Sequence, residues 1–298
     1  MPAAEPSPRL RLLGVDFSSR PDRRKPIVVA EGHRCDASGR LRLDRLRALS
    51  DPADFSCLLT EPGPWLGAFD LPFGLPRELV ETLGWPSGSW AALIGHYRRL
   101  SRQEIRAAFA AFCAARPAGA KFAHRACDRP AGASPSMKWV NPPVAFMLHA
   151  GAPALLDAGC HLPGLHEGDR SRIALEGYPG RSARAVLGRR SYKSDDPARQ
   201  DEGRRQARQT LVQALEQDEG LQIDAEQRTA LLEDARGDRL DAVLCLLQAA
   251  QASQAPGFGL PAAVDPLEGW ITGVATTGPD LQTRKGSTCS TGSGGATR

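Results

Sequence analysis

The run Leu10-Arg11-Leu12-Leu13-Gly14-Val15-Asp16-Phe17 is apolar almost throughout, places a glycine near its end and then meets an acid. A short apolar run of this kind predicts a buried β-strand with Asp16 at its carboxyl end. Two later runs end the same way. Trp65–Phe69 (WLGAF) leads into Asp70, followed by Leu71-Pro72-Phe73-Gly74, where proline and glycine stop a strand ladder. Arg172–Tyr178 (RIALEGY) carries Glu176 and stops at Pro179-Gly180. Ligands of open α/β sheets bind beyond the carboxyl ends of the strands. Neighbouring strands lie about 4.8 Å apart, so three carboxylates from distant parts of the chain are expected at one edge. Like charges that close raise one another's pKa unless a cation neutralises them. Magnesium accepts such oxygen ligands while keeping waters and substrate phosphate in its shell.

Outward from these strands, Pro26–Ala30 (PIVVA) predicts a further strand and Leu41-Arg42-Leu43 a third. Leu43–Leu59 carries apolar residues at helical spacing, broken by Asp51-Pro52. From Pro76 to Gly164 the texture is helical: an Ala-rich stretch at Ser89–Arg116, a Pro/Gly/Ser-rich loop at Asp128–Pro143 and a helix at Val144–Gly159, with no strand expected. After the Glu176 strand come an Arg-rich helical region at Pro197–Gln217, a helix at Asp224–Ala235, an apolar helix at Asp238–Ala250 and a closing segment at Pro266–Val274. This order predicts an α/β core with at least one parallel strand pair. The core is split into residues 1–75 and 165–275 around a helical insertion or cap at 76–164. A disordered tail is expected at 276–298, which is rich in Gly, Ser and Thr.

Asp238 and Asp241, three apart at the start of the apolar helix, share one helical face. Alone, the pair is explained by capping and the helix dipole. Beside the strand-end acids it joins them in a candidate metal site. The insertion offers His124, Arg125, Lys138 and Asn141 as substrate groups, and Lys193 follows the Glu176 strand. A histidine moves protons near neutral pH, and arginine or lysine holds phosphate.

Of the 38 basic residues only five are lysines, and the net charge is +4. That arginine bias suits a polyanion, though a GC-rich coding sequence produces it as well. No apolar run of about 18 residues exists to span a membrane. No apolar h-region opens the sequence, so no secretory signal is expected. Seven scattered cysteines without a CxxC pair point to a reducing cytoplasm. His124, Cys127, His149, Cys160, His161 and His166 match no tetrahedral zinc spacing. Ser134 and Lys138 lie four apart rather than the three of a Ser/Lys nucleophile, and there is neither a GxSxG nor a phosphate-cradling glycine loop.

Taken in order, Gly14-Val15-Asp16-Phe17-Ser18-Ser19, Phe69-Asp70-Leu71-Pro72-Phe73-Gly74, Glu176-Gly177-Tyr178-Pro179-Gly180 and Asp238-x-x-Asp241-Ala242 resemble domain-of-unknown-function family 429, predicted nucleases with a ribonuclease H-like fold. His124-Arg125-Ala126-Cys127-Asp128, Asn141-Pro142-Pro143, Gly151-Ala152-Pro153 and Ser191-Tyr192-Lys193 look similar to it too. The last helix and Asp16 also resemble RuvC-type junction resolvases. The resemblance spans roughly Leu12 to Val274. It implies a ribonuclease H-like mixed sheet flanked by helices, with a helical insertion. It also implies phosphodiester hydrolysis of DNA or RNA with Mg²⁺ or Mn²⁺. On that expectation Asp16, Asp70, Glu176 and Asp241 are catalytic and Asp16, Asp70, Asp238 and Asp241 hold metal. His124, Arg125, Lys138, Asn141 and Lys193 bind substrate. Two alternatives stay open: an actin-like nucleotide-binding phosphotransferase, because Asp16-Phe17-Ser18-Ser19 resembles that superfamily's first phosphate loop, or a nucleic-acid-binding protein without chemistry. No second Gly-x-Asp strand is present for the actin-like duplication.

Overall fold

Strand β1 (Arg11–Asp16) forms where the sequence is apolar on both sides of the pleat. Its neighbours set the architecture of the computed structural model, which describes residues 9–275. β1 pairs antiparallel with β2 (Ile27–Arg34), which pairs antiparallel with β3 (Leu41–Leu49). On its other side β1 runs parallel to β4 (Trp65–Asp70), β4 to β6 (Asp169–Glu176), and β6 to the two-residue β5 (Cys160–His161). The result is a six-stranded mixed sheet, ordered β3-β2-β1-β4-β6-β5, consistent with a ribonuclease H-like fold.

Alternation along each strand divides the core. Leu13, Val15, Ile27, Val29, Trp65 and Phe69 face one side. There they pack with α1 (Pro52–Thr60), α2 (Arg77–Thr82), α3 (Trp90–Tyr97), α4 (Arg102–Ala114) and α6 (Val144–Asp157). Leu12, Val28, Ala30, Leu66 and Ala68 face the other. That side is covered by α7 (Pro179–Leu187), α8 (Glu202–Gln217), α9 (Ala225–Glu233) and α10 (Asp238–Ala252). A short α5 (Asp128–Ala131) stands at the carboxyl edge of the sheet near the chain's closing segment. Residues 76–164 therefore share one hydrophobic core with the sheet rather than standing apart from it.

α10 lies directly across β1, and Gly14 makes that possible. A methyl group there would sit 2.1 Å from the Ala242 carbonyl oxygen and from the Leu246 nitrogen. Backbone cannot yield as a flexible side chain does, so Gly14→Ala is expected to cost about 3 kcal/mol or more in urea denaturation. A loss under about 1 kcal/mol would contradict this close approach.

Several local expectations need correction. Leu43–Leu49 is strand, not helix, because β2 supplies a ladder partner for it from Arg34↔Leu41 to Ile27↔Leu49. Helix α1 starts only after Asp51, whose side chain accepts from the Ala53 N–H. Ser89–Arg116 is two helices, since Ser101 and Glu104 form a capping box that starts α4 afresh. Pro179 opens α7 instead of merely ending β6, which suits proline at the first helical position. β5 stands where no strand was expected. The tail expected to be disordered lies outside the described residues. Among the described residues no helix is long and apolar enough to cross a membrane.

Candidate functional site

Asp16 and Asp70 are direct partners in the β1–β4 ladder. By parity both follow Gly14 and Ala68 onto the face that α10 covers. Helix α10 begins at that same edge with Gly237 in the left-handed region (φ 74°) and presents Asp241 from its first turn. One carboxylate oxygen from each of Asp16, Asp70 and Asp241 lies within 4.8 Å of the other two. Asp241 is fully buried and Asp16 is 9% exposed.

Glu176 lines the same cleft but lies outside that group of three. It pairs in the ladder with Phe69 rather than Asp70, one residue out of step, so its side chain points to the opposite face. There it is buried against Arg125, whose Nη1 and Nη2 each lie 2.7 Å from a Glu176 oxygen. The Phe73 N–H donates to the same carboxylate at 2.9 Å. Arg125 also donates to Asp128 at 2.9 and 3.0 Å and to the Glu268 carbonyl at 3.0 Å. Glu176 and Arg125 thus form a buried clamp between insertion and sheet. Arg125 touches the cleft wall, but both its forks are committed to protein groups.

Asp238 lies outside the group of three, although it lines the same cleft and its charge reaches Asp16. Its carboxylate accepts from Lys25 Nζ at 3.0 Å and lies 3.6 Å from Arg236 Nε. Lys193 takes a place at the cluster, its ammonium paired with Asp241, which also accepts from the Tyr192 hydroxyl. His124, Lys138 and Asn141 do not line the cleft, whereas Pro142 and Val144 do. The His124 Nδ1 is buried without a partner and Asn141 is exposed.

Lys25, Tyr192 and Arg236 were not foreseen as site residues. Tyr192 lay in plain view beside Lys193. Lys25 gave no local signal; the β1–β2 hairpin carries it next to α10.

These groups open on a cleft of about 580 Å³. Carboxylates lie at its base, Lys25, Lys193 and Arg236 on one side, and Phe17, Leu71, Met147 and Tyr178 supply apolar wall. Burial first, then the charges of Asp241, Asp238 and Asp70, hold the Asp16 carboxyl well above its usual range. Burial and the Asp241 charge push Asp70 up to about 7. A carboxyl raised in the folded state stabilises the fold at low pH, and that contribution is lost as pH rises through the folded value. In chelator, wild-type stability relative to Asp70→Asn should therefore fall between about pH 4 and pH 7. A divalent ion should flatten that fall. Melting curves across this range check it, and parallel pH profiles for the two proteins would contradict the assignment.

The oxygen-only donor set, with one lysine shared among three carboxylates, fits a hard divalent cation. Among the described residues no histidine–cysteine group gathers in the same way. A family profile described as "Protein of unknown function (DUF429)" matches residues 14–264. The chain belongs to the DUF429 family. Searches of curated proteins and of solved structures returned no match. The DUF429 match starts at Gly14, the glycine that admits α10, and takes in all three clustered aspartates, the Arg125–Glu176 clamp and Lys193.

Proposed function

We propose that this DUF429 protein is a divalent-metal-dependent nuclease, a hydrolase of phosphodiester bonds in nucleic acid. The observation that carries the reading is the convergence of Asp16, Asp70 and the buried Asp241, the first two lining a cleft that Lys25, Lys193 and Arg236 also line. Asp16, Asp70 and Asp241 would hold Mg²⁺ or Mn²⁺. Such an ion supplies positive charge to a phosphoryl oxygen and makes water a better nucleophile near neutral pH.

The chain's own groups do the rest. Lys193, partly exposed beside Asp241, donates to a phosphate oxygen. The Tyr192 hydroxyl donates to one Asp241 oxygen and the Lys193 ammonium pairs with the other, and together they fix the orientation of this buried carboxylate. Lys25 and Arg236 neutralise Asp238, so that acid does not repel the substrate backbone. Phe17 and Tyr178 offer apolar surface to a sugar or base.

A cleavage panel of single-strand, duplex, hybrid and branched substrates tests this, run with wild type, Asp70→Asn and chelator. Cutting that needs metal and disappears in Asp70→Asn supports the proposal. Equal cutting by both proteins overturns it, as does ATP hydrolysis without diester cleavage, the result expected of an actin-like phosphotransferase.

A further inference from the structure

Between Glu176 and Asp195 the sequence contains no acid and five basic residues: Arg181, Arg184, Arg189, Arg190 and Lys193. Both ends of that run line the cleft, through Gly177 and Tyr178 at one end and Ser191, Lys193 and Ser194 at the other. Between them α7 buries Ala183 and Leu187 and leaves Arg184 exposed, with Arg189 and Arg190 exposed just beyond its end. Among the described residues Lys193 is the run's only cation paired with a carboxylate. Arg184 lies over the Tyr178 ring at 5.1 Å and donates to the Ala131 carbonyl at 2.6 Å. That bond brings up α5, whose Arg129 is exposed as well.

Arg184 is thus tied to Tyr178 and α5, whereas the exposed guanidinium groups of Arg189 and Arg190, without counter-ions, hold a positive potential that folding itself does not use. Their planar forks match phosphate oxygens. The groove beyond Asp238, about 670 Å³, has no such bias: Arg45, Arg47 and Arg239 share it with Asp224, Glu226 and Glu233. A polyanion is therefore favoured on one side of the cleft only.

We infer that the edge formed by α7 and the loop to Ser194 is the track along which a nucleic-acid backbone approaches the carboxylate cluster. Arg189 and Arg190 contact phosphates flanking the one held at Lys193. The inference deepens the nuclease proposal and rests on it for the chemistry of the partner.

The test is anisotropy of labelled DNA and RNA duplexes of one sequence, in chelator so that binding is read apart from cleavage, across a salt series. Arg189→Glu/Arg190→Glu should weaken binding about tenfold or more at 100 mM salt and lower the log–log salt slope by about 2. The charge-matched Arg40→Glu/Arg42→Glu pair, at the β2–β3 turn on the opposite end of the sheet, should leave both nearly unchanged. The polymer that responds identifies the partner. Should the reversal variant fail to fold, Arg189→Ala/Arg190→Ala removes the same contacts and should produce the same slope change. Equal weakening by both double variants overturns the track, as does failure of wild type to bind either duplex. Binding along this edge without any cleavage sinks the nuclease proposal and leaves the track standing. Cleavage by a protein whose two double variants bind alike does the reverse.

Discussion

Arg125→Ala is expected to cost about 3–5 kcal/mol, the largest loss from any single change around the cleft. Arg125 is nearly fully buried and faces Glu176 and Asp128, both equally hidden. Truncation leaves two carboxylates in a low-dielectric space with only the Phe73 and Arg125 backbone N–H groups donating to them. The penalty comes from that uncompensated charge more than from the lost bonds. For a chain of this size the melting point should fall by roughly 5–8 °C. A triple variant, Arg125→Met with Glu176→Gln and Asp128→Asn, removes all three charges together and should recover most of the loss. Urea denaturation of the two proteins distinguishes the accounts. A change below about 1 kcal/mol in Arg125→Ala would mean the buried clamp does not form. The same substitution in a phosphate-holding arginine would weaken substrate binding while leaving the fold intact.

Asp16→Asn should act in opposite directions with and without metal. In chelator near neutral pH it removes a carboxyl whose charged form is disfavoured by burial and by Asp241, Asp238 and Asp70, so the protein should gain about 1–3 kcal/mol. In millimolar Mg²⁺ or Mn²⁺ the wild type should gain stability by mass action, about 2.7 kcal/mol at a hundredfold excess over Kd. The variant should gain little. Loss of supporting groups around a metal already costs 10–100-fold, so loss of a ligand should lower cleavage by more than about 100-fold. Calorimetric melting at matched ionic strength reads the first two effects. Identical metal-induced shifts in both proteins would remove Asp16 from the proposed centre.

Much of the fold was legible because the physical signals are local. The apolar runs ending at Asp16 and Asp70 mark strands, and the apolar helix beginning at Asp238 has only one way to be buried. Gly14 marks the point where that helix approaches. The continuation of β3 past Leu43 and helix α7 were not legible for a complementary reason. Leu41–Leu49 is half exposed and carries four charged residues, so its strand character depends on the partner β2 provides. The Pro179 that starts α7 reads equally well as the end of β6.

The same division holds for the site. Strand ends group Asp16 and Asp70 with Glu176, the start of the apolar helix adds Asp238 and Asp241 as a pair, and the family resemblance points to Asp16, Asp70 and Asp241 as ligands. None of these signals could place Glu176 or Asp238. Pairing of Glu176 with Phe69, one residue short of Asp70, turns it to the other face of the sheet and into the hands of Arg125. Lys25, 213 residues from Asp238 in sequence, claims the second helix acid. Ladder register and long-range charge pairing are decided only when the strands and loops assemble. No short stretch of sequence contains the partner that settles them.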